Sequence, residues 1–65
     1  MKKYIITRMD TNASVMVKEA SKDMAMTKYV TKYYKDWRGP SFAQDGLWHI
    51  YNDFGMEISF TISEK

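Results

Sequence analysis

The stretch that most constrains this 65-residue chain is 47–62, where turn chemistry and hydrophobic pattern agree. Asn52-Asp53-Phe54-Gly55 suits a type I turn followed by a glycine in the left-handed region. A hairpin closed there sets Asn52 opposite Met56, Ile50 opposite Ile58 and Trp48 opposite Phe60. Successive side chains of a strand point to opposite sides. One face of strands 47–52 and 56–62 then carries Trp48, Ile50, Met56, Ile58, Phe60 and Ile62. Such a face must be covered.

The cover is expected from 22–38. Met26, Tyr29, Val30, Tyr33, Tyr34 and Trp37 recur at three- and four-residue spacing, one stripe of a helix. Ser21 suits the N-cap and Asp23 the first turn. Gly39 suits the position after the last turn, and Pro40 stops any continuation. Residues 41–46 read as a loop.

Upstream, 3–9 and 13–19 flank Asp10-Thr11-Asn12, a turn cluster, and read as a second hairpin. Pairing Met9 with Ala13 sets Thr7 opposite Val15, Ile5 opposite Val17 and Lys3 opposite Glu19. A two-residue turn would shift that register by one.

The expected fold is therefore α+β: one two-layer domain over 1–65, in the order ββαββ, a four-stranded antiparallel sheet with one helix on one face. The expected core is Ile5, Val15, Val17, Met26, Val30, Tyr33, Trp37, Trp48, Ile50, Ile58, Phe60 and Ile62. The opposite sheet face would hold Tyr4, Ile6, Arg8, Ser14, Met16, Lys18, Leu47, His49, Tyr51, Glu57, Ser59 and Thr61.

A chain this short buries only about 60% of its unfolded surface, so such domains often borrow stability from disulfides, metals or association. With no cysteine, disulfides and thiolate ligands are out, and a reducing cytoplasm is the expected compartment. The apolar run after Lys2-Lys3 ends at Ile6, too short for a secretory leader. No run approaches the length of a membrane span, so no membrane is expected.

Motifs for chemistry are sparse. His49 is the only histidine. Glu57 and Ser59 fall on the neighbouring strand, but any hairpin produces such neighbours, and a structural histidine is the better reading. Zinc needs three or four ligands. Asp10-Thr11-Asn12 begins like a calcium loop but lacks its later glycine and glutamate. There is no glycine-rich phosphate loop. Catalytic, metal and cofactor sites are all expected to be absent.

What remains is surface. Tyr4, Ile6, Arg8, Met16, Lys18, Leu47, His49 and Tyr51 form the candidate interaction face, because contiguous exposed apolar area marks interfaces and Tyr and Arg are enriched there. The formal charge of +2 is unevenly spread. Lys22, Lys28, Lys32, Lys35 and Arg38 crowd into 22–38 against only Asp23 and Asp36. Lys28, Lys32 and Lys35 are the candidate phosphate contacts. The expected function is a non-enzymatic protein-interaction module, self-associating through the sheet or acting on a partner, of the kind phage and mobile elements use to modulate host proteins. The alternative is a nucleic-acid-binding domain using the basic helix or an aromatic and basic sheet face. A small enzyme is the third and weakest reading.

Overall fold

The computed structural model describes residues 1–65. Its elements are β1 (Lys2–Arg8), β2 (Ser14–Glu19), α1 (Lys22–Tyr33), β3 (Arg38–Phe42), β4 (Trp48–Tyr51) and β5 (Glu57–Glu64). The expected four strands are thus five, in the order ββαβββ. All pair antiparallel in one sheet, β2-β1-β5-β4-β3. The last strand in sequence is central: β5 joins the N-terminal hairpin to the β3–β4 pair. No helix is long and apolar enough to cross a membrane.

The β4–β5 hairpin has the expected register, with Trp48 opposite Phe60 and Ile50 opposite Ile58. Asn52 closes it twice over. Its N–H donates to the Met56 carbonyl (3.1 Å), and its Oδ1 accepts from the amides of Phe54 (3.0 Å) and Met56 (2.9 Å). Gly55 has φ +79°, as the turn requires.

The β1–β2 hairpin differs from expectation by one residue. Ile6 faces Val15, Tyr4 faces Val17 and Ile5 faces Met16. The loop is longer than expected because the Arg8 amide donates to the Ala13 carbonyl (2.9 Å), enclosing four residues with Asn12 at φ +60°. The slip turns β1 over. Tyr4 and Ile6 are 2% and 0% exposed in the core, whereas Ile5 lies on the other face. Met9 forms no strand pair with Ala13, and Lys3 faces Lys18, so the expected Lys3–Glu19 ion pair does not form. Hydrophobic pattern could not decide this, since Tyr4, Ile5 and Ile6 suit a buried face in either register. The turn decided it.

Helix α1 starts as expected, with Ser21 Oγ accepting from the Met24 amide (3.3 Å) and Asp23 in the first turn. It ends at Tyr33 and not at 38. The Tyr34 amide still bonds the Val30 carbonyl (2.8 Å), but Tyr34 leaves helical geometry at φ −136°, ψ 48°. The early stop turns Tyr34 and Trp37 back over the sheet. Tyr34 packs on Phe60 and on Trp37 with ring centroids 5.8 and 5.9 Å apart. Aromatic edge contacts of this kind add to the area they bury.

β3 takes only Arg38 from the expected helix; Gly39 and Pro40 of the expected stop and Ser41 and Phe42 of the expected loop complete the strand, which covers the edge of β4. Gly39 therefore has a different task from the expected helix cap. At φ +110° it lies so close to β4 that a Cβ would sit 2.9 Å from the His49 carbonyl oxygen. The register shifts between Arg38 and Ser41, and Pro40 contributes no N–H to this edge.

The core gathers Tyr4, Ile6, Val17, Ala25, Met26, Tyr29, Val30, Trp48, Ile50, Ile58 and Phe60. Tyr29 meets Phe60 edge-on at 5.4 Å. Burial, reinforced by Tyr34, pushes its phenol above the usual tyrosine range. Tyr33, expected in the core, is exposed, and so is Met56 at the end of the hairpin's apolar face. Val15, Trp37 and Ile62 are only partly buried.

Candidate functional site

The helix covers one side of the sheet and leaves the other bare. Pairing registers order that bare face into rows. One end holds Lys18 beside Lys3. Next come Met16, Ile5 and Ser63, and then Ser14, Thr7 and Thr61, with Thr7 Oγ1 and Ser14 Oγ 2.9 Å apart. Beyond them Ser59, His49 and Ser41 make a row, and Glu57, Tyr51 and Arg38 close the far end. Met16 and Tyr51 are 47% and 41% exposed.

Of the eight residues expected on this face, Met16, Lys18, His49 and Tyr51 fall on it by the strand alternation, and Leu47 lies one residue ahead of β4, outside any strand. Tyr4, Ile6 and Arg8 do not, because the register slip carries them to the helix side. Tyr4 and Ile6 are core. Arg8 is held at the sheet end, donating to Asp10 (2.9 Å) and to the Tyr34 hydroxyl (3.3 Å). That pairing raises the Arg8 pKa and holds the Asp10 carboxyl below its ordinary range.

His49 is buried although it belongs to the bare face, because polar neighbours close over it. Ser59 Oγ is 2.9 Å from its Nδ1 and Glu57 Oε1 3.4 Å from the same nitrogen. Asp45 Oδ2 lies 3.2 Å from Nε2. Asp45 is itself fixed, its Oδ1 accepting from the Leu47 amide (2.9 Å). A serine, a histidine and a carboxylate in contact suggest nucleophilic catalysis, but that chemistry also needs a substrate recess and donors for the developing oxyanion. None of the three surface recesses is lined by His49, Asp45, Glu57 or Ser59. The carboxylates flank opposite nitrogens, and no three His, Asp or Glu side chains converge to hold a metal ion. The cluster ties the β3–β4 loop to β5 through one imidazole.

Of the three candidate phosphate contacts, Lys28 and Lys32 lie on α1 and Lys35 does not. Lys28 Nζ is 3.7 Å from Glu19 on β2, and Lys32 Nζ lies 5.3 Å from the Tyr33 ring centre. Lys28 and Lys32 line a groove of about 290 Å³ between α1 and β2, together with Lys18, Val17, Tyr29 and Tyr33.

Sequence reasoning missed several surface residues. Lys3 and Ile5 belong to the bare face, and one residue of loop length hid them. Arg38 and Ser41 join it only because β3 exists; Arg38 is held by Asp53 at 3.0 Å. Phe54 is 90% exposed at the tip of the β4–β5 turn. Its place in the turn was legible, and exposure followed directly from it. Comparison with protein-family models, with curated proteins and with solved structures gives no match for this chain.

Proposed function

We propose that this chain is a non-enzymatic protein-interaction module that meets its partner with the parts of the sheet the helix leaves free. The bare face carries the reading. Five strands wide, it mixes half-exposed Met16 and Tyr51 with Ile5, Lys18 and Arg38. Aromatic, methionine and arginine side chains are the types enriched where proteins meet. A partner would also supply the burial that a chain of this length lacks.

The test is affinity capture from the source organism's lysate, with and without nuclease, using the native chain and a Met16→Glu/Tyr51→Glu variant. A protein retained after nuclease and lost with the variant is the expected result. Equal capture by both would sink the bare face as the contact.

One observation favours nucleic acid as the runner-up. Lys3 faces Lys18 directly, a like-charge pair that costs stability until an anion sits between the two. Binding to single-stranded oligonucleotide that weakens steeply with salt would support that reading. No binding at low salt would end it.

A further inference from the structure

The two edges of the sheet are unequal. β3 is short, irregular in register and contains Pro40. β2 is a regular six-residue strand with no proline or bulge. Hydrogen-bonded and non-bonded pairs alternate along an antiparallel ladder. The Arg8 amide bonds the Ala13 carbonyl, and on the other side of β1 the Lys65 amide bonds Lys3 and the Met9 amide bonds Ser59. The phase is therefore fixed: residues 13, 15, 17 and 19 bond to β1. The amides and carbonyls of Ser14, Met16 and Lys18 point away from the sheet.

We infer that β2 is a strand-addition site for an extended acidic segment of a partner protein. An unpaired strand edge offers donors and acceptors in alternation, which another peptide strand matches and a phosphate backbone does not. Charge selects the occupant. Lys18 and Lys3 flank the edge on the bare face, and Lys28 and Lys32 flank it on the helix side. Glu19 answers only Lys28. An added strand would show its alternate side chains to these two cationic rows, so carboxylates are favoured on it. The groove wall of Val17, Tyr29 and Tyr33 gives an apolar neighbour to the residues between. A second copy of the chain is the poorer occupant, because two-fold pairing of β2 with itself brings Lys28 and Lys32 toward their own counterparts.

This rests on the interaction-module reading, and its test is separate. The probe is a fluorescent, end-capped peptide of about six alternating Glu and Val residues, the length of a typical strand. Anisotropy is read at low salt, and amide hydrogen exchange is followed in the full chain. The expected result is saturable binding with slowed exchange at Ser14, Met16 and Lys18. A Lys28→Glu/Lys32→Glu variant should bind this peptide about tenfold or more weakly, as expected for two lost ion pairs. It should recover binding to a Lys/Val peptide, which also shows that it is folded. N-methylation of alternate peptide amides should abolish binding. Equal binding by the N-methylated peptide, by polyglutamate or by an oligonucleotide of the same charge would overturn strand addition. So would binding without protection of the three amides. If the variant still captures a lysate protein as the native chain does, the edge site falls and the module stands. If the native chain captures nothing from the lysate, the module falls, and protection of the three amides by the peptide still upholds the edge.

Discussion

The two edges of this sheet solve the same problem in opposite ways. At β3, backbone irregularity closes the edge: Pro40 lacks a donor, the register breaks, and Gly39 presses against the His49 carbonyl. At β2 the backbone is regular and the guard is charge, with Lys18 on the strand and Lys28 and Lys32 beside it. Edge strands are commonly protected in either manner. A backbone guard excludes every strand, whereas a charged guard excludes like charge and admits the opposite one. The difference teaches that exposure alone does not define a binding edge; what blocks it does.

The largest test asks whether the two flanks are separate at all. Phe60 is fully buried in the strand that joins them. Phe60→Ala should cost about 3–5 kcal/mol, as much as the whole stability of a chain this short. Circular dichroism should show no folded baseline at room temperature. If hydrogen exchange finds one flank still protected, the edges belong to independent units and the comparison loses its basis.

Next comes the contrast between the edges. Gly39→Ala forces a side chain into a positive-φ position against backbone and should cost about 1–3 kcal/mol in urea melts. Met16→Ala at the open edge should stay within about 0.5 kcal/mol, as surface changes usually do. Equal costs would show that β3 is no more tightly specified than β2.

Charge as a guard is tested by Lys18→Val. Stability should change by less than about 0.5 kcal/mol, while sedimentation velocity should detect association at lower concentrations than for the native chain. Unchanged sedimentation would mean that Lys18 does not guard the edge.

The smallest effect lies at the turn that starts β2. Asp10 has its pKa lowered chiefly by its hydrogen bond to Arg8. A lowered folded-state pKa gives stability that is present above the unfolded value and lost as pH falls through the folded one. Asp10→Asn should therefore lose a small stabilisation at neutral pH and none in strong acid, where the two melting curves converge. A constant gap at every pH would remove the ion pair as the cause.

How much of this was legible in the sequence depended on local redundancy. At 47–62 the turn residues and the apolar alternation gave the same register, and both were right. At 3–19 the alternation was degenerate, so loop length alone carried the register, and Asp10-Thr11-Asn12 did not reveal that Met9 also belongs to the loop. At 34–38 helix periodicity continued past the real end. Tyr34 and Trp37 are spaced for a helix, yet they pack better by folding back on Phe60, a choice made by tertiary contact. The bare face was half legible for the same reason: its β2 and β4 residues were placed correctly and its β1 residues were not. The cationic groove joins residues of β2 and α1 whose proximity depends on how the helix crosses the sheet, which no local pattern encodes.

The central place of β5 also orders events in time. Residues 1–56 can form two hairpin arms and a helix but no common sheet, because the strand that both arms need is the last of the five in sequence. Until residues 57–64 emerge, β1 has an unpaired edge and the apolar side of Tyr4 and Ile6 faces an incomplete wall. Pairing across so long a sequence separation is slow compared with helix or hairpin formation. The nascent chain therefore passes through an interval in which its stickiest strand is open, and chaperone binding or aggregation would compete with folding in that interval.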